Sequence, residues 1–224
     1  MTMMMINRKF LHETLHDNID KIIKKHLGIL GCGALGANLA ISLARRGFSE
    51  FWLVDYDKIE DHNISTQPWH KEDLGRRKVD TLATELYRIN QVQALTDWKG
   101  IASTSDILNR KDLGWTHNID LFIDCFDNSK ARQAAQGLYP KHHVLHVGMS
   151  NQNTGEVTWD YAYTIPPDIT LDDPCNYPLS RTLIELTVVV SSEAIIAFLK
   201  TGSKFNYFIN ANNLKIEERT YITK

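Results

Sequence analysis

A glycine-rich turn is the first pattern in the sequence that could do chemistry. The apolar run Leu27–Leu30 leads into GCGALG at positions 31–36, a GxGxxG motif that opens a helical pattern. Glycines let the backbone approach a phosphate, and the start of a helix binds anions through free N–H groups. The spacing predicts a phosphate-binding loop, and the alternative is glycines that serve only tight packing of the helix on the strand.

An acidic residue follows the next apolar run. Asp55 ends the run Phe51–Val54, and it comes roughly 20 residues after the loop, the usual spacing for a carboxylate that binds ribose hydroxyls. The loop and the acid together predict a nucleotide that contains adenosine. They leave NAD, S-adenosylmethionine and ATP open.

A second acidic position helps to choose among these nucleotides. The run Leu121–Ile123 is followed by Asp124, and then by Asp127 and Asn128 at the start of another helix. A carboxylate would repel a dinucleotide's pyrophosphate, whereas Mg²⁺ can bridge a carboxylate to a triphosphate. Asp127 therefore favours ATP with Mg²⁺, and Asp124 is expected to be structural.

These motifs occur in the same order in the ThiF/MoeB/HesA family, the prokaryotic relatives of ubiquitin-activating enzymes, which this sequence resembles. The matching stretches are GCGALGANLA, LVDYDKIEDHNISTQ, GRRKVD and LFIDCFDNSKAR. The resemblance runs from about Leu27 to Gly148, and more loosely to about Tyr221. It implies an ATP- and Mg²⁺-dependent adenylyltransferase that activates a carboxylate, such as the C-terminus of a small ubiquitin-like or sulfur-carrier protein or of a peptide.

The resemblance also implies roles for individual residues. Asp55 would hold the ribose, Asn63 and Lys78 would lie along the phosphates, and Asp127 would bind Mg²⁺. Adenylation brings a carboxylate to an α-phosphate, so a lysine, a metal and helix N-termini must offset the repulsion. The alternative for Lys78 is a solvent-exposed helix residue without a role in binding. The full nucleotide-binding set that the resemblance implies is Gly31, Gly33, Ala34, Leu35, Gly36, Asp55, Asp57, Asn63, Thr66, Gln67, Lys78 and Asn128.

One position departs from the family pattern. Where the family has an arginine in N-x-x-R-Q, this sequence has Thr66, whose hydroxyl cannot supply the charged fork of a guanidinium. Arg76 or Arg77 could compensate, and so could a catalytic Arg8 that reaches across a dimer. Two alternatives stay open: a catalytically silent nucleotide-binding partner or scaffold of the same fold, and an NAD-dependent oxidoreductase.

The three cysteines form no CxxC pair, so no structural zinc is expected. Cys32 and Cys125 are expected to be small buried residues beside the nucleotide. Cys175 lies where ubiquitin-activating relatives often place an acyl-accepting thiol, but the neighbouring Asp172 and Asp173 disfavour a thiolate. A catalytic Cys175 and an ordinary loop cysteine are both compatible with the sequence.

Composition limits the partners and the location. The formal net charge is −2 and no long run of Lys or Arg occurs, so nucleic acid is not an expected partner. The longest apolar stretch, Leu183–Leu199, is interrupted by Glu185 and Glu193, and no apolar leader begins the chain. We therefore expect a cytoplasmic protein without a membrane partner, and the resemblance implies a homodimer.

Alternating apolar runs and helical patterns predict the fold that would position these residues. The fold class is α/β, a Rossmann-like doubly wound, mainly parallel sheet with antiparallel strands toward the C-terminus. We predict one domain over residues 1–224, with a leading helix at about 6–25 and a core at about 26–148. For the remainder, we predict a strand at Gly155–Thr164, a loop at Ile165–Pro178, a packed helix at Ser180–Lys200 and two strands within Tyr207–Tyr221.

Overall fold

A computed structural model describes residues 8–13, 21–109, 118–168 and 178–220. These residues contain one continuous sheet of eight strands, in the order β3-β2-β1-β4-β5-β6-β7-β8. The strands are β1 (His26–Leu30), β2 (Glu50–Val54), β3 (Leu95–Asp97), β4 (Leu121–Asp124), β5 (Val144–Met149), β6 (Thr154–Trp159), β7 (Asn206–Asn210) and β8 (Lys215–Arg219). The helices are α1 (Gly36–Arg45), α2 (Lys78–Asn90), α3 (Thr104–Leu108), α4 (Ser129–Gln136) and α5 (Arg181–Thr201).

The first five strands are parallel. β1 pairs with β2 on one side and with β4 on the other, so the order of the strands reverses between β1 and β4. In open α/β sheets, ligands bind in the crevice at the carboxyl ends of the strands beside such a reversal. The glycine loop follows β1 and the Asp127 turn follows β4, so both predicted nucleotide motifs lie at this crevice.

The last three strands are antiparallel. β6 pairs with β5, β7 with β6 and β8 with β7, which confirms the mixed sheet predicted by the sequence. β6 is shorter than the predicted strand Gly155–Thr164, because Asp160–Ala162 form a 3-10 turn. The buried Asp160 carboxylate accepts the Val144 N–H and the Lys204 ammonium, at 3.2 Å each, and these contacts end the strand pairing.

The predicted long helix exists as α5, which packs over β5, β6, β7 and α1. By length and mean hydropathy, 1.9, it would suffice to cross a membrane, but 56% of its apolar stretch is buried inside the molecule. Ser191 and Ser192 are fully buried and donate to the helix's own carbonyls. α5 is therefore the core helix that the sequence predicted.

The leading segment differs from its prediction. Residues 8–13 form helical turns, and residues 14–20 lie outside the described residues. Residues 21–24 form a turn, because the Lys25 N–H bonds to the Ile22 carbonyl and directs the chain into β1. The helix predicted at about 6–25 therefore does not reach its predicted end.

Candidate functional site

The glycines of the glycine loop have two roles: two allow close packing of the backbone, and one leaves space for a ligand. Gly31 has a φ of +95°, and a Cβ there would lie 2.9 Å from the Cys125 carbonyl group. A Cβ on Gly36 would lie 1.9 Å from the Gly31 oxygen, so the first and third glycines are needed for close packing. Gly33 has nothing within 4 Å of its Cβ position. Because a helix start leaves N–H groups without intrahelical partners, the open turn at Gly33, Ala34 and Leu35 offers donors to an anion.

Asp55 ties the end of β2 to the glycine loop. Its side chain accepts the Cys32 N–H at 2.7 Å through Oδ2 and the Asp57 N–H at 2.8 Å through Oδ1. The residue is 8% exposed, and burial raises the pKa of its carboxyl group against the opposing effect of Lys78. A carboxylate has about four acceptor positions, so two backbone contacts leave capacity for ribose hydroxyls.

Lys78 begins α2 and is 6% exposed, so the solvated alternative is wrong. Its Nζ donates to Asp57 Oδ2 at 2.8 Å. Burial lowers the pKa of Lys78, but Asp55, Asp57 and Asp127 raise it by more, and the net pKa lies above the ordinary value. Lys78 is thus a buried ammonium group that contacts Asp57 directly and is stabilised by the negative charges of Asp55 and Asp127.

The turn after β4 presents Asp127 to solvent. Asn128 caps α4 through a 2.9 Å bond from the Ala131 N–H, and its amide donates to Asp127 at 3.3 Å. Mg²⁺ in nucleotide sites is held by one or two carboxylates together with phosphate oxygens and waters. One exposed carboxylate beside a helix N-terminus fits this pattern.

Asp124 has structural partners. It accepts the Phe126 N–H at 3.1 Å and contacts His146 Nδ1 at 2.7 Å, and the Tyr163 ring stacks on His146 at 3.7 Å. Asp124 and His146 are 2% and 1% exposed. Sequence spacing does not reveal this pair, because its members come from different strands.

A cleft of about 180 Å³ lies between the ends of β2 and β4 and the first turn of α4. Its lining includes apolar residues such as Ile101 and Phe126 beside Asp55 and Lys99. Such a lining suits a heterocycle whose ribose reaches Asp55. The lining residues are Val54, Asp55, Tyr56, Lys99, Gly100, Ile101, Phe126, Asn128 and Ala131.

The segment from Asn63 to Gln67 docks on the glycine loop. Asn38 Nδ2 donates to the Thr66 carbonyl at 3.0 Å and to the Ala34 carbonyl at 2.7 Å. Asn63 and Gln67 are buried, and they accept the Glu60 N–H and the Trp69 indole N–H. The structure thus brings the whole predicted segment to the site, where the nucleotide roles of its side chains stay predictions.

The candidate substitutes for the missing arginine lie in different places. Arg76 bonds to Asp73, and Arg77 stacks over Trp98 at 3.9 Å. Both line an open groove of about 410 Å³ along α2 that carries charges of both signs. Arg8 lies in a 3-10 turn. Arg181, which the sequence did not single out, donates from Nη1 to the Thr66 carbonyl at 3.4 Å.

The structure describes two of the three cysteines. Cys32 is buried and Cys125 is partly buried, and burial raises the pKa of both thiols. Cys175 and its acidic neighbours lie outside the described residues. Among the residues that are described, no group of three His, Cys, Asp or Glu side chains is arranged to hold a metal ion.

Comparisons with known proteins identify the family and relatives of this chain. A model of the ThiF family matches residues 6–152. Adenylyltransferase and sulfurtransferase MOCS3 of Bos taurus is 37% identical over 112 residues, 46% of this chain and 22% of that protein. Ubiquitin-like modifier-activating enzyme 5 of Bombyx mori is 29% identical over 124 residues, 53% of this chain and 32% of that enzyme. The chain therefore spans well under half the length of these relatives.

A solved structure shows the same fold. E. coli MccB, crystallised with AMPCPP and MccA, superimposes with a TM-score of 0.76 at 16% identity, covering 96% of this chain and 72% of MccB. The fold class and the resemblance seen in the sequence are both confirmed. Because the family model spans the glycine loop, the Lys78 region and the Asp127 turn, well over half of the chain, this protein belongs to the ThiF family.

Proposed function

We propose that this chain binds ATP with Mg²⁺ and adenylates a carboxylate, at the C-terminus of a small ubiquitin-like or sulfur-carrier protein or of a peptide. The observation that carries the proposal is the buried Lys78 ammonium group, which donates to Asp57 at 2.8 Å beside the carboxyl end of β2. Family membership supports the reaction class, and the names of MOCS3 and ubiquitin-like modifier-activating enzyme 5 support a protein substrate.

The reaction places specific demands on these residues. A carboxylate oxygen forms a bond to the α-phosphorus of ATP while the bond from that phosphorus to pyrophosphate breaks, which yields an acyl adenylate and pyrophosphate. Both reactants are anions, so positive charge must be fixed beside the phosphates before they meet. Lys78 supplies a fixed charge, and the open turn at Gly33 supplies N–H donors. Asp127 would hold Mg²⁺, which neutralises phosphate charge when bound.

Thr66 supports a second candidate, a nucleotide-binding partner without catalytic activity. Its hydroxyl lies 3.5 Å from the Asn63 carbonyl. Because the hydroxyl is neutral, it cannot offset the negative charge of a triphosphate. In that case the protein binds ATP but does not exchange pyrophosphate with any carboxylate. Thr66→Arg would then create carboxylate-dependent exchange, whereas an active wild type would exclude this candidate.

Thermal unfolding with a ligand panel tests the proposed function. We expect Mg·ATP to raise the melting temperature, since a ligand at 100 times its Kd stabilises by about 2.7 kcal/mol. ATP with a chelator should stabilise less, and NAD and S-adenosylmethionine should not stabilise. Lys78→Ala should weaken the response to Mg·ATP, because it removes the fixed cation, while Lys141→Ala, at an exposed lysine, should respond like the wild type.

Two results would contradict the proposal. A shift with NAD that is indifferent to Mg²⁺ would favour an oxidoreductase. An unchanged Mg·ATP response in Lys78→Ala would remove the observation on which the proposal rests. Carboxylate-dependent exchange of pyrophosphate into ATP then tests the chemistry, and Asp127→Ala should abolish it if Asp127 holds the metal.

A further inference from the structure

The guanidinium group of Arg181 reaches the edge of the nucleotide site from the far end of the chain. Its Nη1 donates to the Thr66 carbonyl at 3.4 Å, across 115 residues of sequence. The same carbonyl accepts Asn38 Nδ2, which also donates to the Ala34 carbonyl of the glycine loop. A single side chain, Asn38, therefore connects the carbonyl that Arg181 contacts to the glycine loop.

The position of Arg181 is set by a well-formed helix start. Ser180 caps α5, since its Oγ accepts the Leu183 N–H at 3.1 Å and donates to Asn153 Oδ1 at 2.6 Å. Arg181 is the first residue of the helix, and its Nε donates to Glu185 at 3.0 Å. The side chain is 50% exposed, and Nη2 has no hydrogen-bond partner among the described residues. Two contacts thus orient the guanidinium group, and half of the side chain's surface is exposed.

A bound triphosphate would need more positive charge than Lys78 alone supplies. Lys78 supplies one positive charge, and its Nζ already donates to Asp57 at 2.8 Å. A triphosphate adds several negative charges, which require a further fixed cation. Arg76 is held by Asp73 and Arg77 by Trp98, whereas Arg181 contacts the segment that docks on the glycine loop.

A merely structural role is the competing explanation. An exposed Arg–Glu pair at i,i+4 on a helix contributes little to stability. An Arg181–Glu185 pair alone would not require a contact with Thr66. The hydrogen bond from Arg181 to the Thr66 carbonyl joins α5 to the segment that docks on the glycine loop. A planar guanidinium fork also matches phosphate oxygens, which an ammonium group does not match as well.

We infer that Arg181 binds the terminal phosphates of ATP, supplying from α5 the guanidinium group that position 66 lacks. The inference rests on the proposed function, because it assumes that the chain binds ATP. It assigns the start of α5 to the nucleotide site in addition to its place in the core.

Nucleotide affinities of Arg181→Ala test this role. Loss of a charge-assisted contact to the terminal phosphates should weaken ATP binding by about tenfold or more and leave AMP binding unchanged. Arg181→Lys should fall between the wild type and Arg181→Ala. The matched control is Arg88→Ala, which removes an exposed arginine from another helical Arg–Glu pair and should bind ATP like the wild type.

A second variant tests position as well as charge. Because Arg181 contacts the backbone of Thr66, an arginine side chain at position 66 starts within reach of the same space. Thr66→Arg in the Arg181→Ala background should therefore restore most of the ATP affinity. The ligand-free melting temperature of each variant, compared with the wild type, shows whether the fold is intact.

The outcomes separate this inference from the proposed function. Unchanged ATP affinity in Arg181→Ala would overturn the role of Arg181 and leave the proposed function standing. Equal losses for ATP and AMP would show a structural effect and would also overturn it. If the wild type binds no adenine nucleotide, the proposed function fails and the role of Arg181 fails with it.

Discussion

At the scale of single residues, Lys78 shows burial and charge acting in opposite directions. Burying an ammonium group costs several kcal/mol unless partners compensate for the lost water. Asp57 compensates directly at 2.8 Å, and Asp55 and Asp127 add attraction. The residue stays charged although it is buried, because these acids offset the lost hydration, and its ammonium group is placed to act as a counter-ion for phosphate.

The thiols offer a prediction at the same scale. Burial raises the pKa of Cys32 and Cys125, so both thiols stay protonated and unreactive near neutral pH. In the native Cys175→Ser variant at pH 8, we expect no fast reaction with a thiol reagent, followed by reaction of two thiols in denaturant. Kinetics of reagent consumption, monitored by absorbance, measure this.

The wild type serves as the comparison for that experiment. If the native wild type has one fast-reacting thiol more than the variant, that thiol is Cys175. An acyl-accepting role requires Cys175 to be reactive. Fast labelling of the native Cys175→Ser variant would show that Cys32 or Cys125 is accessible, contrary to the packing around the glycine loop.

At the scale of elements, the glycine motif between β1 and α1 contains residues with different roles: some glycines are needed for folding, and one leaves room for a ligand. A Cβ on Gly36 would strike the Gly31 carbonyl, whereas a Cβ on Gly33 would meet no atom within 4 Å. The motif therefore contains glycines that the fold needs and one that leaves space at the helix start.

Two alanine substitutions separate these roles. Gly36→Ala should lower the free energy of unfolding by about 2 kcal/mol or more, because the backbone must move to admit the methyl group. Gly33→Ala should melt close to the wild type but bind ATP more weakly, because its methyl group occupies space that a phosphate would enter. Denaturant titrations and ATP affinities measure the two effects, and a reversal of the pair would contradict this division.

At the scale of the whole molecule, one sheet connects two apolar cores. Trp52 belongs to the core on the α3 and α4 face, and Trp159 belongs to the larger core with α1, α2 and α5. The strands that separate the cores are shared by both, and β5 joins the parallel and antiparallel halves. The single domain over residues 1–224 stays a prediction, which unfolding experiments test.

Cooperative unfolding is the expected consequence. Far-UV circular dichroism and tryptophan fluorescence should report the same midpoint and the same denaturant dependence. Trp52→Phe and Trp159→Phe should each lower that midpoint in one transition, because each core shares the sheet with the other. Two separated transitions, each assigned to one tryptophan, would show that the chain divides into independently folding units.

Much of the fold could be predicted from the sequence because its signals are local. Apolar runs, the glycine loop and the acids that follow strands are each read within a few neighbouring residues, and such local patterns predicted β1, β2, β4, α1, α5 and the closing hairpin. The short strand β3 and the helix α3 have too few residues to give a clear pattern. The leading helix was overextended because periodicity did not reveal the turn at residues 21–24.

The sequence by itself determined the fold class, the family and the order of the nucleotide motifs. Only the tertiary structure decided that Lys78 is buried, that Asp124 pairs with His146 and that Arg181 contacts Thr66. The last two contacts join residues 22 and 115 positions apart. Strand order and helix packing bring such residues together, and no pattern along the chain records that proximity.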